Sequence, residues 1–158
     1  MPIVRRAIPD DAPELVRLRR VMLDANHDKP TPGGAWVDEC EKAFRTFPDG
    51  DRHFAAFVLD APDADGRLAS CAGAGLSPRL PGHTSTALWH GEIHQVATDP
   101  EYRRRGYARR VTRAARDWLA ARGCSSAALT ATPDGIGLYE ELGFRTIPYP
   151  RMVWRPPG

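Results

Sequence analysis

The sequence is poor in cysteine and nearly without lysine. Its three cysteines, Cys40, Cys71 and Cys124, stand far apart. No C-x-x-C occurs and the count is odd, which argues against a disulfide framework and a thiol redox motif. None has activating neighbours, so all three read as buried reduced thiols. Lys29 and Lys42 are the only lysines among 22 basic residues, and arginine carries the positive charge. Long apolar runs are missing as well. None approaches the ~18 residues of a membrane span. The opening Met-Pro-Ile-Val-Arg-Arg has no apolar core of a signal peptide. A cytoplasmic protein with no membrane partner is therefore expected. Two phosphate motifs are absent too. Without G-x-x-x-x-G-K-[ST], a nucleotide-hydrolysing P-loop is not supported, and without G-x-G-x-x-G neither is a dinucleotide fold.

What is present is an ordinary globular balance, with 42% hydrophobic and 27% charged residues in 158. That length favours one domain over residues 1–158. A chain of this size buries roughly 70% of its unfolded surface and needs no staples. The net charge of +2 says little about partners.

The most informative stretch is Asp99-Pro-Glu-Tyr-Arg-Arg-Arg-Gly-Tyr-Ala108. It follows a strand-like segment, Gly91 to Thr98, and runs into a helix-like one, Tyr107 to Arg122. The first amides of a helix lack intrahelical partners and can donate to a phosphate. The helix dipole adds about half a positive charge there. Gly106 permits close backbone approach, and Ala108 keeps the first turn small. The stretch reads as a pyrophosphate seat.

Elsewhere, Ile3 to Ala7 reads as a strand. Asp10 and Asp11 are N-cap candidates for a helix over Pro13 to Asp24. Trp36 to Phe47 reads as a second amphipathic helix. His53 to Leu59, Arg67 to Leu76 and Ala87 to Thr98 read as strands. After the third helix, Ser125 to Thr132 reads as a short buried strand. Phe144 to Ile147 and Arg151 to Trp154 would be the last two. The expected fold is α/β, with a mixed central sheet flanked by helices rather than a doubly wound parallel one. In the third helix, Tyr107, Val111, Ala115, Trp118 and Leu119 recur at helical spacing and read as core. Arg110, Arg113 and Arg116 read as a solvated face, with contact to a cofactor phosphate as the alternative.

The turn Arg103-x-x-Gly106-x-Ala108 resembles the signature of the GNAT superfamily of acetyl-CoA-dependent N-acetyltransferases. Leu138-Tyr-Glu-Glu-Leu-Gly-Phe144 is similar to the L-Y-x-x-x-G-F that closes the cofactor-binding half of these enzymes. The likeness runs from about Glu92 to Phe144. It implies acetyl-CoA as cosubstrate, no metal, and a central strand splayed from its neighbour to admit the pantetheine arm. By this resemblance Arg103, Arg104, Arg105, Gly106, Tyr107, Ala108 and Arg109 serve the pyrophosphate, the amides from about Arg104 to Arg109 donating to it. Val96 and Thr98 would bond the pantetheine arm through their main chain. Many members carry an Asn seven residues before the Tyr; here that position is Thr132, followed by Pro133. Thr suits an N-cap and Pro the first helical position, so the geometry is kept.

Acyl transfer to an amine needs a neutral amine, a polarised carbonyl and a stabilised leaving thiolate. By resemblance, Tyr139 is the general acid beside the sulfur; a phenol donates a hydrogen bond at neutral pH. Glu92 lies eleven residues before Arg103, the place of a catalytic glutamate in some members. His94 is two residues on, and in an unbroken strand shares a face with Glu92 and Val96. Either could take a proton, and histidine titrates nearest neutrality. Trp36, Phe44, His27, Trp89 and Tyr149 are candidates to line the acceptor pocket. The near-neutral chain, with no extended charged groove, favours a small-molecule amine over a protein amine. Relatives are often dimers, which leaves a homodimer open. Two alternatives stand beside this reading. One is an acyl-CoA sensor or longer-chain acyltransferase on the same fold. The other is a nucleic-acid-binding module built on the arginine cluster, which lacks a recognised motif; no nucleic-acid partner is expected.

Overall fold

Apolar residues fill the run Phe54–Asp60, and the resulting strand buries both its faces. Ala55, Phe57 and Leu59 pack into one helical layer, while Ala56 and Val58 pack into the other. This is the period of two expected of a strand at the centre of a three-layer fold. In the computed structural model, which describes residues 2–47 and 52–158, that strand is the second of five. The order along the chain is β1 (Arg5–Arg6), α1 (Ala12–His27), α2 (Ala35–Thr46), β2 (Phe54–Asp60), β3 (Leu68–Pro78), β4 (Trp89–Thr98), α3 (Tyr107–Ala121), β5 (Cys124–Ala128) and α4 (Ile136–Glu141). The strands lie side by side in sequence order. All neighbours are antiparallel except β4 and β5, which run parallel and are joined through α3. The mixed α/β sheet expected from the sequence is therefore present.

On one face α1 and α2 supply Leu15, Leu18 and Phe44. On the other, α3 supplies Val111, Ala115 and Leu119 over Ala69, Ala72 and Ala74 of β3. Small residues on the sheet let α3 approach closely, and Gly91 of β4 is the tightest point. A Cβ there would stand 2.6 and 2.8 Å from the two methyls of Leu119, which is itself fully buried. Gly91→Ala is expected to destabilise the fold by about 1–3 kcal/mol, the usual cost of overpacking. Urea unfolding should show a lower midpoint with an unchanged m-value.

Three expectations need correction. Neither Phe144 to Ile147 nor Arg151 to Trp154 forms a strand. Pro148 and Pro150 break up the run between them, and each removes a donor that a ladder needs. The apolar side chains of this tail point outward, with Tyr149 79% and Trp154 80% exposed. For the same reason β5 is not buried. Among the described residues it pairs with β4 alone, and Ser125, Ser126 and Ala128 are exposed. The first strand is also shorter than Ile3 to Ala7, being limited to Arg5–Arg6.

Candidate active site

Strand β4 carries an irregularity where the sequence shows no marker for one. Cys71 pairs with Ala97 and Gly73 with His94, so β4 holds one residue more than β3 between these pairs. Gln95 takes up the extra length with φ of 60°, a β-bulge in a non-glycine residue. The bulge changes which side chains share a face. Gln95 turns toward α1, where its amide donates to the Leu15 carbonyl at 3.1 Å. Val96 packs with the α3 layer. The expectation that Glu92, His94 and Val96 share one face therefore fails at Val96: an extra residue inverts the alternation after it.

Just before the bulge, β4 and β5 part company. Their pairing ends at Glu92 with Ala128, so among the described residues the rest of β4 has β3 as its only partner. Asp99, just past the strand, donates its amide to the Ala69 carbonyl of β3 at 2.9 Å. By antiparallel alternation, Thr98 and Val96 turn their own backbone groups to the opposite side, the side β5 has left. This is the splayed strand pair expected of the fold.

The turn after β4 joins that gap to α3. Arg104 and Gly106 both have positive φ, 66° and 75°. The amides of Tyr107, Ala108 and Arg109 in the first turn of α3 have no backbone acceptor among the described residues. The turn is fixed from below by Asp99, which is 1% exposed. Its carboxylate takes the guanidinium of Arg17 at 2.7 Å and that of Arg67 at 2.8 Å, and accepts the Glu101 amide at 3.0 Å. Burial alone would raise its pKa, but the Glu101 amide, Arg67 and Arg17 outweigh it and hold the carboxyl below its usual range. Tyr102, buried behind the turn, donates to Asp63 at 2.5 Å.

The arginines divide by what they touch. Arg103 bonds the Thr98 carbonyl at 3.3 Å and borders a cleft of about 400 Å³ with Lys29 and Asp24. Arg105 lies over the Tyr102 ring at 5.2 Å, and Arg104 is exposed. Arg109 pairs with Glu141 of α4. Arg110 reaches the Pro2 carbonyl at 2.5 Å, and Arg116 the Leu142 carbonyl at 2.7 Å. These last two are not the solvated face expected of them. They tie the N-terminal segment and the end of α4 to α3.

Leu138-Tyr-Glu-Glu-Leu-Gly-Phe144 forms most of α4 and its stop. Gly143 has φ of 95°, and the Phe144 amide returns to the Tyr139 carbonyl at 3.0 Å. Thr132 is the N-cap residue of a short 3-10 turn, Pro133–Gly135, that leads into α4. The Tyr139 ring meets Phe144 edge-on at 6.2 Å. Its hydroxyl has no hydrogen-bond partner among the described residues, and burial raises its pKa.

On the α1/α2 face, His94 lies beside Phe54, ring centroids 5.9 Å apart. Gly73 and Gly75 of β3 leave space for it; a Cβ on Gly75 would stand 3.4 Å from Nε2. Desolvation lowers the His94 pKa, Glu92 pulls it up, and Arg19 lowers it further. Glu92 is engaged differently. Arg151 of the C-terminal tail donates to its Oε1 at 2.7 Å. His94 and Gln95 form one wall of a cavity of about 380 Å³, with Arg19, Trp36, Cys40, Phe44, Phe47 and Phe54 completing most of it. Of the residues expected to line an acceptor pocket, Trp36 and Phe44 do so. His27 lies at the end of α1, the Trp89 ring meets that of His53 at a tilt with centroids 5.2 Å apart, and Tyr149 projects from the tail. Among the described residues no cluster of His, Cys, Asp or Glu could hold a metal ion, and no helix is long and apolar enough to cross a membrane.

A mixed sheet whose β4 parts from β5 beside an anion-ready helix start is an acetyltransferase architecture. The chain belongs to the acetyltransferase (GNAT) family, whose model matches residues 18–144. No curated protein matches it by sequence. Among solved structures, a predicted acetyltransferase from Clostridium acetobutylicum with acetyl-CoA is similar, with TM-score 0.80, 18% identity, and 97% of this chain and 96% of that one covered. Glucosamine-6-phosphate N-acetyltransferase from Arabidopsis thaliana follows at TM-score 0.76 and 15% identity, covering 98% of each chain. An aminoglycoside N-acetyltransferase in complex with CoA aligns at TM-score 0.72 and 19% identity, over 99% of this chain and 95% of that one.

Proposed function

We propose that this protein transfers an acetyl group from acetyl-CoA directly to a primary amine on a small molecule, with the whole chain acting as one catalytic domain. The observation that carries the reading is the parting of β4 from β5 after Glu92, at the end of β4 that leads into α3. The backbone of Val96 and Thr98 would bond the pantetheine arm, and the first-turn amides of α3 would take the pyrophosphate. Arg103, Arg104 and Arg105 add positive charge there, and Thr132 borders the arm. A backbone amide near Val96 polarises the carbonyl. His94 takes a proton from the acceptor's ammonium, and the freed nitrogen attacks the carbonyl carbon. As the C–N bond forms the C–S bond breaks, and the Tyr139 hydroxyl protonates the departing sulfur. The second proton lost by nitrogen and the reprotonation of Tyr139 balance through solvent. Glu92 acts on His94 through charge, since its own carboxylate is occupied by Arg151. The free thiols, with Cys71 pushed up to about 12 by burial, suit a reducing cytoplasm. The α3 arginines support this reading over nucleic-acid binding, because Arg109, Arg110 and Arg116 are engaged within the fold.

Calorimetric titration with acetyl-CoA, followed by thiol release over a panel of amines, tests the proposal. Binding and amine-dependent release are expected; absence of acyl-CoA binding would overturn it. The base has its own test. A lowered pKa leaves His94 neutral at pH 7 and ready to accept a proton. Turnover should fall only as pH drops through that value, below the ordinary ~6.5. His94→Gln is expected to lower kcat at neutral pH about 10- to 100-fold and to remove this acid limb. A pH–rate profile that keeps the limb in the variant takes His94 out of the mechanism.

A further inference from the structure

Among the described residues the cavity beside His94 is lined mostly by apolar side chains, and Arg19 is its one arginine. Trp36, Phe44, Phe47 and Phe54 supply aromatic surface, with Phe47 and Phe54 5.1 Å apart. At about 380 Å³ it lies toward the small end of the ~300–1,000 Å³ range of small-ligand sites. Arg19 enters it from α1. Its guanidinium donates once, from Nη1 to Gln95 Oε1 at 2.8 Å. Among the described residues no carboxylate comes within ion-pair distance of it, whereas Arg5, Arg17 and Arg67 each have two.

A guanidinium fork has five donors arranged to match a carboxylate. Set against apolar walls with most donors unused, it favours a ligand that brings its own anion. The Gln95 bond keeps the head in place, and it depends on the bulge that turns Gln95 toward α1. His94 is the adjacent residue on β4 and feels the Arg19 charge, so anion recognition and proton acceptance share one small chamber.

We propose that the acceptor is an amine bearing a carboxylate on an apolar, preferably aromatic, body: Arg19 takes the carboxylate, the aromatic wall takes the body, and the amine faces His94. This inference rests on the acetyltransferase reading above. Arg19 is thus a specificity-determining residue. Polycationic amines are disfavoured by the same charge.

The test compares L-phenylalanine with 2-phenylethylamine, which lacks only the carboxylate, and with L-alanine and L-lysine, which lack the apolar body. Wild type is expected to favour L-phenylalanine over each by at least tenfold in kcat/KM. In Arg19→Gln the ratio of L-phenylalanine to 2-phenylethylamine should collapse toward one, mainly through a higher KM for L-phenylalanine. Arg19→Lys should restore part of it. 3-Phenylpropanoate, an anion without an amine, should compete with the acceptor in wild type and at least tenfold more weakly in Arg19→Gln. Equal use of L-phenylalanine and 2-phenylethylamine by wild type, with acetyl-CoA bound and thiol released, overturns this inference and leaves the acetyltransferase standing. Failure to bind acetyl-CoA removes both. The wild-type comparison decides the matter even where a variant does not fold.

Discussion

Tyr139→Phe is expected to lower turnover at least tenfold while leaving acetyl-CoA affinity nearly unchanged. The change removes one oxygen and keeps the ring, so the edge contact with Phe144 at 6.2 Å remains. So does the packing against Gly135, where a Cβ would stand 3.1 Å from the Tyr139 ring. The thermal midpoint should therefore move little. The oxygen matters for the reaction because nothing in the fold uses it. The hydroxyl has no acceptor among the described residues, and burial keeps its proton on by raising its pKa. A phenol held in that state can donate to the departing sulfur and stabilise the charge that develops as the C–S bond breaks. Positioned acids contribute about 10²- to 10⁴-fold, and water reaching the sulfur in the variant would recover part of that. Steady-state kinetics give kcat, and calorimetry gives the acetyl-CoA Kd. A variant with near-normal kcat removes Tyr139 from the mechanism; one with weakened Kd and normal kcat assigns it to binding instead.

The parts of the fold legible in the sequence are those whose causes are local. The turn at Arg103, Gly106 and Ala108 is written in adjacent residues: a glycine where φ is positive, then a helix start. The stop of α4 at Gly143 is local in the same way. Helices α1, α2 and α3 follow from apolar spacing, and their ends shift by only a few residues. The bulge at Gln95 was not legible, because no glycine or asparagine marks it and its cause is the way β4 fits between β3 and α1. It decides that Val96 and Gln95 exchange faces. Arg19 could not be told from Arg17 and Arg20, since helical spacing shows a polar side but not which guanidinium finds a carboxylate. The tail misled for the opposite reason. Phe144 to Ile147 and Arg151 to Trp154 carry apolar residues as strands do, yet Pro148 and Pro150 between them withdraw the donors a neighbour would need. Asp99 had a signal that could have been used: an Asp before Pro can cap the turn that follows, and it does so through the Glu101 amide.

Asp99→Ala should be among the most destabilising single changes outside the apolar core. The carboxylate is buried and meets two guanidiniums that come from different places, Arg17 on α1 and Arg67 before β3. Removing it takes the shared buried carboxylate from both guanidiniums, leaving Arg17 with Glu14 and Arg67 with Glu101, and frees the Glu101 amide. Breaking a fully buried pair costs about 3–5 kcal/mol. Both guanidiniums are about a third exposed, so water recovers part of this and about 2–4 kcal/mol is expected. For a domain of this size that is a drop of about 5–15 °C in Tm. Asp99→Asn keeps an acceptor for the Glu101 amide and should lie between the two. The acid dependence separates charge from shape. The folded pKa of Asp99 is depressed, so its contribution is complete above the unfolded value of ~3.9 and is lost as pH falls through the folded one. Glu14 and Asp60 are depressed too and add to the wild-type slope. The difference between wild type and Asp99→Asn isolates Asp99: it should be full and constant well above about pH 4, shrink as pH falls below that, and level off once Asp99 is protonated in the folded state. Urea unfolding at a series of pH values measures this. Parallel curves across the acid range would mean that Asp99 acts by shape alone. Because the same carboxylate fixes the turn that precedes α3, both variants should also bind acetyl-CoA more weakly at temperatures where they remain folded. Tyr139→Phe should not, and that contrast separates holding the donor from using it.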